Sequence, residues 1–322
     1  MKNILFVADP LSTFKIYKDS TYVMMKELDA RGIQVWSCES KDIFSVSSSF
    51  VSASMQRVQI LSTHANENAE SHNWYKAEPT QVRALKEMDA VVLRQDPPFN
   101  SEYFYLTHLL EVAQRQGTKV FNDPQAVRNH PEKLSILEFP ELTPPTLVTR
   151  ESFKIKDFHA QHKDIILKPL DGMGGTGIFR VKEDGLNLGA VIESLTANGS
   201  QTVMVQKFLP AIEKGDKRVL LIDGVAVPYA LARIPQGGEV RGNLAAGGLG
   251  VAGELTKGES EIANYLGPVL SQRGLFLVGL DVIGDYLTEI NVTSPTCFQE
   301  ITQQKGFDVA KAFVDALLKR LD

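Results

Sequence analysis

The sequence predicts an α/β protein: an open lobe on a parallel sheet at the N-terminus, followed by two α+β lobes. Three observations predict it. Short apolar runs alternate with helix-period stretches over about the first 120 residues. The texture changes at Pro124, after which Pro131, Pro140, Pro144 and Pro145 punctuate the chain. Beyond them, strand–loop–strand patterns rich in glycine alternate with helical stretches.

The elements follow in order. Asn3 to Ala8 is a short apolar run, as a buried parallel strand would be. Asp19-Ser20 caps a helix with Tyr22, Met25 and Leu28 on one face, and Gly32 stops it. Ile33 to Cys38 is a second strand, which makes a β-α-β unit with a right-handed crossover. Residues 40–75 are rich in Ser, Asn and His, and are expected to form a hairpin or loop with His64 and His72 solvated. Asp89 to Arg94 is another buried strand. A helix from Ser101 to Gln116 ends at Gly117, and Thr118 to Asn122 is a further strand. Later helices are expected near 151–162, 187–198, 258–273 and 307–321. Lobes are expected over 1–123, 124–203 and 204–322, with a mobile segment over 234–253. No internal repeat or low-complexity tract is visible.

Composition narrows the function classes. The apolar fraction of 43% and charged fraction of 23% are ordinary for a soluble globular chain. A net charge of −5 with scattered Lys and Arg gives no case for nucleic acid. The N-terminal apolar run stops at Asp9, too short for a signal peptide, and no segment reaches the ~20 apolar residues of a membrane span. A cytoplasmic location is expected. Cys38 and Cys297 are far apart and in no C-x-x-C, so neither a disulfide framework nor zinc is indicated. Cys297 lies near the strongest motif but reads best as a small buried filler.

Five stretches carry chemistry. In Ile165-Ile-Leu-Lys-Pro-Leu-Asp-Gly-Met-Gly-Gly-Thr-Gly, a strand delivers Lys168 and a loop with Gly172, Gly174, Gly175 and Gly177 follows. Glycine lets backbone N–H groups approach phosphate oxygens, and the lysine adds a point charge. Alone, the loop is as compatible with a flexible hairpin, so the other motifs must decide. In Asp281-Val-Ile-Gly-Asp-Tyr-Leu-Thr-Glu289-Ile-Asn291, Glu289 and Asn291 share one strand face. Oxygen ligands of this kind suit Mg²⁺ or Mn²⁺. Asp281 joins that face only if the connection is odd or the hairpin bulged, and one of these is expected. Val203-Met-Val-Gln206-Lys207-Phe208-Leu209-Pro210 is a strand passing into an irregular stretch where backbone groups can read a base edge; core packing is the better default for it alone. Gly215 to Arg233 is a hairpin turning at Asp223-Gly224, with Arg218 and Arg233 at its open end, suited to phosphate or carboxylate. In Ile234 to Gly253, seven of the 24 glycines fall in the last 17 residues around a lone Arg241, the texture of a lid closing over an anion.

The order Lys-Pro-x-Asp-Gly-x-Gly-Gly, hinge strand, then Asp…Glu-Ile-Asn resembles the ATP-grasp ligases. The strings Arg94-Gln-Asp-Pro-Pro-Phe, Asn129 to Lys133, Gly215-Asp-Lys-Arg-Val, Leu231-Ala-Arg-Ile-Pro-Gln-Gly-Gly-Glu, Arg241-Gly-Asn-Leu-Ala-Ala-Gly-Gly and Leu287-Thr-Glu-Ile-Asn-Val-Thr-Ser-Pro-Thr resemble the bacterial glutathione synthetase family. The resemblance covers nearly the whole chain, leaving out 40–75 and the last 20 residues. It implies an ATP-grasp fold behind an N-terminal Rossmann-like domain for substrate binding and oligomerisation, in a homotetramer or homodimer. It implies ligation of γ-glutamylcysteine and glycine through an acyl phosphate, with release of ADP and phosphate. Lys133, Lys168 and the loop Gly172, Gly174, Gly175, Thr176, Gly177 would hold the ATP phosphates. Gln206, Lys207, Phe208 and Leu209 would hold adenine, and Asp216 ribose. Asp281, Glu289 and Asn291 would hold two Mg²⁺ (or Mn²⁺). Arg218, Arg233 and Arg241 would stabilise the transferring groups, and Arg94, Arg241 and Ser294 would bind substrate carboxylates. The alternatives are another ATP-grasp carboxylate-amine ligase, or a non-catalytic nucleotide-binding regulator; the latter should have lost a metal ligand or the lid arginine, and all four residues are present.

Overall fold

The structure is a computed structural model and describes residues 2–61, 73–172, 174–238, 241–244 and 247–322. The chain begins with β1 (Asn3–Ala8), α1 (Ser20–Ala30) and β2 (Gln34–Cys38), the expected crossover with β1 and β2 parallel. The Asp19 side chain accepts the Tyr22 N–H at 2.7 Å and so caps α1. Ile4 to Val7 have no exposed surface, because both faces of β1 are covered.

Next come β3 (Ile43–Phe44), β4 (Ser52–Ile60), β5 (Tyr75–Ala77), β6 (Gln81–Ala84), β7 (Ala90–Arg94), α2 (Ser101–Arg115) and β8 (Val120–Phe121). They complete an eight-stranded sheet of order β3-β4-β2-β1-β7-β8, with β5 and β6 also paired to β4. The nine-residue β4 is more than the hairpin or loop expected over 40–75. Its Ala53, Met55 and Val58 are buried, while intervening Ser and Gln residues dilute the apolar signal. His64 and His72 lie outside the described residues.

After α3 (Pro124–Asn129), a four-stranded sheet of order β11-β10-β12-β9 forms from β9 (Thr146–Thr149), β10 (Ile165–Pro169), β11 (Phe179–Val181) and β12 (Val203–Lys207). It is covered by α4 (Ser152–His162) and α5 (Leu188–Leu195) around Ile155, Ile165, Leu167, Ile192 and Val205. The division expected at 203–204 falls inside β12.

The last sheet is antiparallel, of order β15-β14-β13-β16-β17: β13 (Asp216–Ile222), β14 (Val225–Ile234), β15 (Leu249–Glu254), β16 (Leu277–Ile283) and β17 (Tyr286–Asn291). Asp223 and Gly224 both have positive φ (50° and 79°), the geometry of a two-residue type I′ turn. The loop expected over 234–253 is interrupted by β15, which pairs Leu249 to Glu254 against β14. The remaining helices are α6 (Lys257–Gln272), α7 (Phe298–Lys305) and α8 (Val309–Leu321). The polar stretch forming α7 carries only two large apolar residues, Phe298 and Ile301, and both are buried.

Asn122 joins the first sheet to the last. Its amide N–H groups donate to the carbonyls of Leu277 (2.8 Å) and Val292 (2.7 Å), and its oxygen accepts the Leu277 N–H (2.7 Å). These contacts bracket β16 and β17 and fix that hairpin against the N-terminal lobe. Among the described residues no helix is long and apolar enough to cross a membrane.

Candidate active site

A cavity of about 460 Å³ lies where the three sheets meet. Every candidate site residue from the sequence lines it except Gly177 and Arg94.

The floor is the β16–β17 hairpin. Ile283 pairs with Tyr286 across Gly284-Asp285, and Val282 with Leu287, yet Asp281 pairs with Glu289. Thr288 is therefore an extra residue, the bulge expected from the sequence. It brings Asp281 and Glu289 to one face, where an unbroken register would oppose them. Asn291 donates its amide N–H to the Gly279 carbonyl at 3.2 Å, which leaves its side-chain oxygen as an acceptor.

Cations encircle these carboxylates. Asp281, 3% exposed, accepts from Arg218 Nε at 2.5 Å and from a second Arg218 nitrogen at 3.1 Å. Arg233 reaches it at 2.8 Å and also pairs with Asp216 at 2.5 Å. Burial alone would raise the Asp281 carboxyl, but the two guanidiniums overcome it and hold the group well below the usual carboxylate range. Lys168 Nζ lies 3.2 Å from Glu289 and Lys133 Nζ 3.9 Å from it. Burial likewise opposes ionisation of Glu289, and the two lysines reverse the effect and lower it.

Asp216 behaves in the opposite way. Burial pushes it up, Asp281 and Glu289 add repulsion, and it stands at about 7 despite Arg233. Its Oδ1 is buried without a hydrogen-bond partner.

The glycine loop and the later glycine-rich segment meet. Lys133 donates to the Gly172 carbonyl at 3.2 Å, and Arg241 to the Gly175 carbonyl at 3.5 Å. A Cβ on Gly175 would stand 2.6 Å from Asn243 Oδ1, so only glycine permits this approach. Gly177 turns instead against Pro169, where a Cβ would meet the ring at 3.2 Å.

Arg94 stands apart from the other expected contacts. It is 4% exposed, absent from the cavity lining, and donates to Thr21 Oγ1 and the Pro295 carbonyl, both at 3.0 Å. These contacts brace the loop after β17 from behind, and a further guanidinium nitrogen is buried without a partner. Ser294 does reach the cavity, and its hydroxyl donates to Asp96. Cys297 is 1% exposed and burial pushes its thiol up, in keeping with a filler.

Other lining residues escaped the sequence reading. Glu132 accepts from Thr293 Oγ1 at 2.9 Å and is raised to about 6 by burial and by Glu289. Its position beside Lys133 was the one available signal. Lys15, Lys18, Asp19 and Asp96 line the mouth from the N-terminal lobe, with Glu300 also in the lining. No local pattern distinguishes these charges from surface ones.

Comparisons with known proteins give the family. Residues 2–128 match the model for the prokaryotic glutathione synthetase N-terminal domain, and residues 132–306 its ATP-grasp domain. The chain belongs to the prokaryotic glutathione synthetase family. Within the family, it is 57% identical to a glutathione synthetase of Ralstonia nicotianae over 98% of this chain and 94% of the relative. It is 52% identical to one of Bordetella parapertussis over 98% of each. Among solved structures, D-cycloserine synthetase DcsG superposes with a TM-score of 0.67 at 16% identity, covering 99% of this chain and 100% of that one. The ATP-grasp ligase PsnB, complexed with a minimal precursor, Mg and ADP, gives 0.61 at 18% identity, covering 99% and 98%. These likenesses show the ATP-grasp fold, and a family with this domain uses ATP.

Proposed function

We propose that the chain joins γ-glutamylcysteine to glycine, converting ATP to ADP and phosphate. The observation that carries this is one cavity in which Asp281 and Glu289 face each other within a ring of Arg218, Arg233, Lys168 and Lys133, in a chain of this family.

Lys133 and Lys168 are placed for the nucleotide phosphates, and the loop from Gly172 to Gly177 for covering them. Gln206 to Leu209 border the base. Asp216, in the cavity lining, would meet a ribose hydroxyl. The cysteinyl carboxylate attacks the γ-phosphorus, a C–O–P linkage forms, and ADP leaves. The glycine amine then attacks the acyl carbon, and phosphate departs with the bonding pair. Arg218 and Arg233 lie where both steps concentrate oxyanion charge. Catalysis of this kind is positioning and charge stabilisation, with water excluded from the acyl phosphate. Arg241 and Asn243, resting on the glycine loop, are placed for that exclusion.

Asp281, Glu289 and the Asn291 amide form an oxygen-only donor set that fits Mg²⁺ or Mn²⁺, two ions in the family pattern. Mg²⁺ takes only one or two carboxylates from a protein, and phosphates and waters would complete such a site. Bound there, the ions would neutralise phosphate charge.

The γ-glutamyl end of the donor carries both an ammonium and a carboxylate. The mixed charges at the mouth, Lys15 and Lys18 with Asp19, Asp96 and Glu300, suit such a zwitterion. Lys18→Met should raise KM for the dipeptide and leave KM for ATP alone; a rise in both would remove Lys18 from this role. The reading includes a cytoplasmic homotetramer or homodimer, checked by light scattering.

The deciding experiment is phosphate release from ATP with γ-glutamylcysteine, with and without glycine, with glutathione identified by mass. Release that needs both substrates is expected. Release indifferent to them, or none, would refute the assignment.

A further inference from the structure

The end of β12 carries a set of contacts that the ligation chemistry leaves unexplained. Phe208 is the one aromatic ring among the described side chains lining the cavity. The guanidinium carbon of Arg180, on β11, stands 3.5 Å from its ring centroid. Arg180 itself is not part of the lining, so it acts from behind the ring.

Arg180 is held by Asp164 in a two-pronged contact, Nε to Oδ1 at 3.0 Å and a terminal nitrogen to Oδ2 at 2.6 Å. The carbonyl of the same Asp164 accepts the Phe208 N–H at 2.9 Å. The three residues therefore form a closed circuit: Asp164 fixes the backbone of Phe208 and the cation that fixes its ring. A bidentate fork of this kind sets the guanidinium plane as well as its position.

Apolar Ile166, Leu209, Ile212 and Ile283 share the lining with Phe208, as does Lys207, while the paired charges gather around Asp281 and Glu289. A flat, weakly polar ligand part belongs at the apolar end. A cation on one face of a ring also draws its π density, which favours an electron-rich heterocycle against the rest of the ring.

We propose that Arg180 is a positioning residue for the nucleotide base, acting through Phe208 and aligned by Asp164. This rests on the reading of residues 206–209 as the base-binding hinge.

The test is calorimetric binding of ADP with Mg²⁺ to the full chain, alongside KM for each substrate. Arg180→Met is expected to weaken ADP binding and raise KM for ATP by roughly 3- to 30-fold, the range of a cation–π contact. KM for γ-glutamylcysteine and for glycine stays within about twofold on the same reasoning. Arg180→Lys, which keeps the charge but not the fork, recovers part of the loss. In a Phe208→Leu background, Arg180→Met adds little further loss, because its effect passes through the ring. Equal losses in both backgrounds, or unchanged ADP affinity in Arg180→Met, overturn the proposal. Parent protein that fails to bind ADP at all overturns the hinge reading beneath it. A general structural defect would instead raise all three KM values together and would count against the proposal.

Discussion

Asp281→Asn tests the charge network most directly, because it keeps the side chain's shape and removes its charge. Asp281 is 3% exposed, and the arginines it holds are 7% and 5% exposed. Its three contacts span 2.5 to 3.1 Å. Arg233 keeps Asp216 after the change, whereas Arg218 loses the carboxylate it pairs with. Removing one member of a buried ion pair costs about 3–5 kcal/mol. The retained Arg233–Asp216 pair argues for the lower part of that range, about 3–4 kcal/mol. With about 2.1 cal/mol/K of unfolding entropy per residue, a chain of 322 residues loses roughly 1.5 °C per kcal/mol, so Tm falls by roughly 4–6 °C. Urea unfolding without ligands gives the free energy, provided the slope is unchanged. Asp281→Asn with Arg218→Met removes the orphaned cation as well, so the double variant should be more stable than additivity predicts, by at least about 1 kcal/mol. The pH dependence has a definite sign. A carboxyl lowered by folding stabilises above its unfolded pKa and loses that contribution as pH falls through the folded one. The gap between parent and variant should therefore hold from neutral pH down to about 5 and close only in stronger acid. An Asp281→Asn protein within about 1 kcal/mol of the parent at neutral pH would show that these contacts are not a stabilising pair.

Three further outcomes are expected. Asn122→Ala removes three hydrogen bonds and strands buried partners at Leu277 and Val292, so urea unfolding should register a loss of about 2–4 kcal/mol; a loss under about 1 would mean water replaces the amide without penalty. Asp216 is raised by folding from 3.8 to about 7, so it binds its proton more tightly in the folded state and its stabilising contribution is lost as pH rises between those values. Asp216→Asn should accordingly gain on the parent in Tm from pH 4 to pH 7, and parallel curves would discard that assignment. Arg241→Ala should cut kcat by about tenfold or more with KM for ATP changed less than about threefold, since it guards the reacting groups rather than the base; equal changes in both would sink the lid role.

Much of this architecture was legible because face parity is a strict constraint. Glu289 and Asn291 lie two apart on a strand, so Asp281 could share their face only through an odd connection or a bulge, and Thr288 supplies the bulge. Strands with unmixed apolar runs, such as Asn3–Ala8, were equally plain. The polar β4 and α7 were not, because their burial comes from partners distant in sequence. Arg94 shows the same limit within the site. Its role was expected from the resemblance alone, and its contact with the carbonyl of Pro295, 201 residues away, has no local signal. The circuit of Asp164, Arg180 and Phe208 joins three segments and has no local signature.

Charges of both signs balance within the site, and this constrains how ligands enter it. Lys133 and Lys168 face Glu289, and in the proposed reading they also serve the nucleotide phosphates. If they turn to a nucleotide, Glu289 remains as a buried anion without its partners, a state that costs several kcal/mol. A replacement cation at Glu289 and Asp281 removes that penalty, while such a cation arriving alone would meet four positive side chains around it. Each ligand thus relieves the charge the other leaves. ADP affinity should therefore rise by at least about tenfold from metal-free to Mg²⁺-saturated buffer, a coupling of about 1.4 kcal/mol. The same factor must appear in Mg²⁺ affinity with and without ADP. In Glu289→Gln the lysines leave no anion behind, so metal-free ADP should bind more tightly than to the parent and the coupling should shrink. Calorimetry in the presence of a chelator reads this directly, and weaker metal-free binding by Glu289→Gln would show that the lysines are not released from Glu289 toward phosphate.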